Sequence, residues 1–272
     1  MKCSIESKQN LPSYLEALQS SGRYWFLGQE IQKNLNLSNE ALRLALWRLS
    51  KKKVVARVRS DFYVIVPPEH RRAGCLPALW LIDPLMDYLG LSYYVGLLSA
   101  ASLHGAAHQQ VMALQIVTTK PIRNIVIGNQ RIEFHVKSLM EQDWVEYGKT
   151  PVSYFKYSEP AITAFDLIKY ARGFGQLQQA TTVLSELVEK LNLERLAGLV
   201  RSGAICISLA QRLGYLLDNI VEAEIDLSIL DNAINEQQPR YVPLVPASSN
   251  KYYERSQRWH IFVNAQLDLD EL

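Results

Sequence analysis

Cysteine is scarce. Cys3, Cys75 and Cys206 lie far apart, and no two of them form a Cys-x-x-Cys pair. That argues against a disulfide framework or a zinc knuckle and makes a reducing, cytoplasmic setting the expectation. The opening residues, MKCSIESKQN, hold no apolar run of the kind a signal peptide needs. Long apolar runs are missing as well. Tyr88 to Thr119 contains no Asp, Glu, Lys or Arg, but Ser92, Ser99, Ser102, His104, Gly105, His108, Gln109 and Gln110 interrupt it. A membrane span needs about 20 predominantly apolar residues. The stretch therefore reads as a buried helix over 92–104 followed by a buried strand, with no membrane partner.

Catalytic signatures are also lacking. There is no P-loop, dinucleotide fingerprint, GxSxG or paired Cys/His arrangement, and Gly173-Phe174-Gly175 stands outside any phosphate-binding context. His104 and His108 share a helical spacing, but Gly105 occupies the place where a zinc protease has Glu. In EFHVK, Glu133 and Lys137 approach the acid–lysine strand of metal-dependent nucleases, yet His135 stands where the second acid belongs. No catalytic residue, metal ligand or cofactor is assigned, and the chain reads as a binding protein rather than an enzyme.

What is present is an apolar fraction of 48% with 21% charged residues, a globular balance. The net charge of +2 hides an asymmetry. Residues 1–72 carry 13 basic and 6 acidic side chains, and the remaining 200 carry 16 and 21. A basic head on an acidic body implies two parts with different partners. The head reads as a helix over 9–20 with Pro12 in its first turn, a short helix over 27–34, and a third helix over 39–52 capped by Ser38. VVARV and FYVIV, joined by RSD, then switch to the strand period. Helix, short helix, helix and hairpin in under 70 residues is the order of a winged helix-turn-helix. Leu42, Leu46 and Leu49 fall on one side of the third helix, and Arg43, Trp47, Arg48 and Lys51 on the other.

In such a domain the third helix enters the major groove, its N-terminal residues nearest the bases. Asn39, Arg43 and Glu40 are candidates for base edges. Lys51, Lys52 and Lys53 are placed for phosphates, with Arg57 and Arg59 on the wing. Trp47 either packs under the wing or touches DNA. Lysines ending a helix also favour its dipole, so KKK alone has an ordinary structural explanation.

The fold class expected is α+β: a winged helix-turn-helix over 1–68, a connection with a short helix over 69–90 in which Pro77 and Pro84 limit regular structure, and a larger mixed domain over 91–272. In the latter, strands at 111–119, 131–137 and 152–158 precede helices from 160 onward, and one more strand is expected at RWHIFVN.

Four segments carry a family likeness: LSNEALRLALWRLSKKKVVARVRSDFYVIVPP; YYVGLLSAASLHGAAHQQ with QIVTTKPIR; EPAITAFDLIKYARGFGQL; and AQRLGYLLD. With the RYVPL and RWHIFVN tail they span nearly the whole chain, which resembles the AbiEi antitoxins of the AbiE abortive-infection family, a type IV toxin–antitoxin system. The resemblance implies a head that binds double-stranded DNA at inverted repeats in its own promoter and represses it. It implies a body that opposes an AbiEii-like nucleotidyltransferase toxin, without necessarily forming a stable complex. DNA contact would fall to Asn39, Arg43, Arg48, Lys51, Lys52, Arg57 and Arg59. Tyr94, Ser99, His104, Gly105, Asp166, Arg212 and Gly214 lie in the body's motifs. His104, Asp166 and Arg212 are antitoxic candidates whose alternative is structural, with Asp166 and Arg212 as an expected buried ion pair. Two rival readings are a ligand-sensing transcription factor and a DNA-targeted metal-dependent nuclease.

Overall fold

The computed structural model describes residues 10–106, 112–246 and 254–269. The Asn10 side chain accepts the Ser13 amide at 3.0 Å and starts α1 (Leu11–Ser20), with Pro12 in the first turn, where no amide bond is lost. A three-residue strand, β1 (Trp25–Leu27), precedes α2 (Gly28–Asn34). Ser38 Oγ accepts the Ala41 amide and caps α3 (Asn39–Lys51). The hairpin is β2 (Val55–Arg57) and β3 (Phe62–Ile65). β1 joins it antiparallel, giving the order β1-β3-β2. The head is a winged helix-turn-helix. Its own core holds Leu15, Phe26, Ile31, Leu42, Leu46, Val55 and Ile65.

The prolines of 77–84 do not prevent regular structure: α4 (Ala78–Leu89) runs unbroken through Pro84. A proline inside a helix deprives the carbonyl four residues earlier of its amide donor. Here that carbonyl is Trp80 O, and Ser153 Oγ donates to it at 3.0 Å. Gly90, at φ +64, then ends the helix: its amide bonds Asp87 O, and the Leu91 amide bonds Met86 O.

The expected helix over 92–104 begins instead as a strand, β4 (Tyr93–Val95), and becomes α5 (Leu97–Leu103) only after Gly96. A Cβ at Gly96 would meet Val117 Cγ2 at 2.8 Å, so only glycine fits that junction. The strands β5 (Leu114–Thr118), β6 (Ile125–Ile127), β7 (Gln130–Val136), β8 (Val145–Lys149) and β9 (Tyr154–Ser158) complete a six-stranded sheet of order β6-β7-β5-β4-β9-β8. β5–β7 and β4–β9 are parallel and the other pairs antiparallel. Five helices follow: α6 (Pro160–Tyr170), α7 (Phe174–Leu187), α8 (Leu193–Arg201), α9 (Ile207–Asn219) and α10 (Ser228–Asn235). A small sheet of β10 (Val242–Pro243), β11 (Glu254–Ser256) and β12 (Ile261–Val263) closes the described chain.

Alternation along β4 divides the interior. Tyr93 and Val95 join an apolar layer with α4 and, beyond it, the wing residues Phe62, Val64 and Val66. Tyr94 faces the opposite layer, formed by α5 to α10 and the tail. Head, α4, sheet and helices are therefore stacked in that order. No described helix is long and apolar enough to cross a membrane.

Candidate nucleic-acid interface

Helix α3 turns Leu42 and Leu46 into the head's core and Asn39, Arg43, Leu44, Trp47, Arg48 and Lys51 outward. Trp47 does not pack under the wing: it is 59% exposed, and the Lys51 ammonium lies 5.7 Å from its ring centre. Lys52 and Lys53 are exposed at the helix end. Lys53 has φ +54, the left-handed conformation that ends a helix and favours glycine. Its amide bonds Ser50 O, and the Val54 amide bonds Leu49 O. A side chain in that conformation costs about 1 kcal/mol, so a cation stands where glycine would be cheaper.

Across from α3, the Arg57 Nε donates to Ser60 O at 2.9 Å and to Arg59 O at 3.3 Å, bracing the wing's turn. Arg59 is half-buried. A cleft of about 310 Å³ lies between helix and wing, bordered by Asn39, Arg43, Trp47, Ser50, Arg57 and Tyr63. Among the described residues, no carboxylate pairs with Arg43, Arg48, Lys51, Lys52, Arg57 or Arg59.

Two of the acids nearby are occupied elsewhere, while Glu40 stands exposed in the first turn of α3. Asp61 also borders the cleft, but its Oδ2 accepts the Gln29 amide at 3.2 Å and its carbonyl the Gly28 amide at 3.0 Å, so it ties the wing to the start of α2. A Cβ at residue 28 would sit 2.4 Å from Asp61 Oδ1, which is why glycine stands there. Glu30 is gripped by both terminal nitrogens of Arg23, at 2.7 and 2.5 Å. Burial pushes the Glu30 carboxyl up, but the hydrogen bond and charge of Arg23, with smaller help from the Leu27 backbone and Tyr14, hold it below its ordinary value. What remains is a convex cationic helix beside a cationic wing, able to neutralise phosphates on both sides of a groove.

The body's candidates are spread over three places. Asp166 is fully buried, and its partner is not Arg212. Its Oδ1 accepts Lys137 Nζ at 2.7 Å, and its Oδ2 accepts the Tyr94 hydroxyl at 2.6 Å. Lys137 also reaches the Tyr94 hydroxyl at 3.2 Å and lies 4.6 Å from the Trp144 ring centre. Arg212, half-buried on α9, donates from Nε to Pro243 O at 3.1 Å and ties that helix to β10. His104 Nε2 lies 2.8 Å from Ser158 O, which can only accept, so that nitrogen carries the proton. Lys190 bonds the His104 carbonyl. His108 lies outside the described residues.

Sequence reasoning missed Lys137 as Asp166's partner. Lys137 follows the last residue of β7 on the same side of the strand as His135, and no local pattern marks it as buried. Among the described residues, no group of three metal-binding side chains forms.

Residues 94–219 match the family model described as AbiEi antitoxin C-terminal domain. That span opens on Tyr94 and encloses His104, Lys137, Asp166 and Arg212. No curated protein matches the chain. Among solved structures, the fold is similar to the crystal structure of the RV2827C protein from Mycobacterium tuberculosis. The TM-score is 0.65 at 14% sequence identity, over 91% of this chain and 89% of that one, a likeness of fold.

Proposed function

We propose, from the match of residues 94–219 to the family model described as AbiEi antitoxin C-terminal domain, that the chain is an antitoxin that also represses its own promoter. The head docks α3 in the major groove of inverted repeats there, with the wing on the adjoining backbone. Asn39 and Arg43 meet base edges. Arg48, Lys51, Lys52, Arg57 and Arg59 meet phosphates. The body counters a nucleotidyltransferase toxin. The observation that supports the DNA-binding half is the cluster of cations on α3 and the wing that no carboxylate pairs, with Asp61 and Glu30 held in the head's own frame and Glu40 alone exposed among them.

His104 and Asp166 are too buried to touch a toxin, and Arg212 is half-buried. They serve the antitoxic role by fixing the sheet and helices that present its surface. A reporter under the chain's own promoter, read beside growth in cells expressing the adjacent gene, tests both halves. Arg43→Ala with Arg57→Ala is expected to release the reporter and still restore growth. A reporter that stays repressed contradicts the head assignment, and growth that never recovers with the wild type contradicts the antitoxin assignment.

A ligand-sensing regulator is the second reading. It is favoured by a cleft of about 350 Å³ between head and α4, bordered by Trp25, Trp80, Asp83, Asp87 and Tyr154. The absence of a nucleotidyltransferase gene beside this one would favour it.

A further inference from the structure

Two large apolar side chains stand bare in the middle of the head's cationic surface. Trp47 is 59% exposed and Leu44 50%. At about 100° per residue, Glu40, Leu44, Trp47 and Lys51 form one outward row on α3, with Arg43 on one flank and Arg48 on the other. Among the described residues, no aromatic ring stacks on Trp47, and its near neighbour is the Lys51 ammonium. An apolar pair centred on a face calls for an occupant. A second copy of this chain is a poor one, because it would set Arg43, Arg48, Lys51 and Lys52 against the same four cations, with Glu40 the single acid that each row offers against them. A DNA duplex supplies the opposite charge on both flanks.

Within the major groove, the apolar group that a base edge offers is the C5 methyl of thymine; the other groups there are donors and acceptors. We propose that Trp47 and Leu44 are specificity-determining residues that read thymine methyls, next to the base that Arg43 contacts. The inference rests on the DNA-binding reading above and adds to it a sequence preference: a half-site in which thymines flank a guanine held by Arg43. The cleft at the side of α3, bordered by Trp47, Arg43 and Arg57, leaves the indole free to tilt against a methyl while the wing holds the backbone.

The test uses the full chain and two duplexes of its own promoter sequence, one with thymine and one with uracil at every thymine position. Uracil lacks the methyl, and its use is expected to weaken wild-type binding about fourfold for each methyl read. Trp47→Ala and Leu44→Ala, at exposed positions and checked for helix content by circular dichroism, should each shrink the thymine-to-uracil difference. Together they should abolish it, leaving both duplexes bound at the weaker level. If the wild type binds both duplexes equally and binding still falls with salt, the DNA-binding reading stands and the methyl inference is overturned. If neither duplex shows salt-sensitive binding, both are overturned. If Trp47→Ala changes the sedimentation mass of the free protein, the face is a self-interface and the inference fails.

Discussion

Asp166 makes the most consequential single contact in the body, because two motifs far apart in sequence meet on its carboxylate. Tyr94 and Lys137 each use one oxygen, and all three side chains are buried. Removing one member of a buried pair strands the other's charge, at a cost of about 3–5 kcal/mol. Asp166→Ala is therefore expected to lose that much in urea denaturation. Asp166→Asn with Lys137→Met, which removes both charges and keeps an acceptor for Tyr94, should recover most of the loss. Equal losses in the two variants would contradict the assignment. The motifs made Asp166 stand out, but its partner was not legible: nothing local distinguishes a lysine that caps a strand inward from one that faces water. Arg212 was equally prominent and turned out to serve a carbonyl. In the head, Glu30 has a depressed folded pKa, so its contribution is present at neutral pH and fades as the pH falls below the carboxyl's ordinary 4.5. The Glu30→Gln variant should show a flatter stability curve through that range in thermal melts, and an unchanged curve would refute the Arg23 tie.

Among the elements, those with a clear period were the ones the sequence foretold. Helices α1 and α3 show their apolar stripes, and the hairpin and β7 show alternation. Strand β4 was hidden because both its faces are buried, so Tyr93, Tyr94 and Val95 carry no alternation to separate them from the helix that follows. β1 and β8 were missed for a related reason: WFL is too short to show a period, and VEYGK lies at a sheet edge. Where α4 runs, only a short helix limited by its prolines was expected, and the Ser153 bond that lets the helix pass Pro84 comes from a loop 69 positions further on. The packing of α9 on the tail yields a prediction at this scale. A Cβ at Gly214 would sit 2.1 Å from the Trp259 ring. Overpacking of a filled core typically costs about 1–3 kcal/mol. Gly214→Ala should lose at least that in denaturation, with the Trp259 indole becoming more solvent-exposed by fluorescence. A variant as stable as the wild type would mean that α9 and the turn between β11 and β12 are not pressed together at Trp259.

For the whole molecule, the charge asymmetry and the order of elements conveyed a basic winged head on a larger acidic body, while the layer that joins them was invisible. Wing residues Phe62, Val64 and Val66 share one apolar cluster with Leu81, Ile82 and Leu85 of α4 and with the sheet. A sequence shows that a residue is apolar, not which of two units it will bury against. Leu85→Ala, at a fully buried site in this layer, is expected to cost about 2–5 kcal/mol. The substitution should lower the unfolding midpoint seen by head and body probes alike; a shift confined to the body would argue against a shared layer. At this scale too, the proposal is that the cations of α3 and the wing that no carboxylate pairs grip a duplex. It is tested most directly by titrating the chain's own promoter duplex with wild type and with Arg43→Ala/Arg57→Ala across a range of salt. The variant is expected to bind more weakly, with a log–log salt slope smaller by about 0.9 for each phosphate no longer neutralised; the same affinity and the same slope for both proteins would mean that neither arginine meets the duplex.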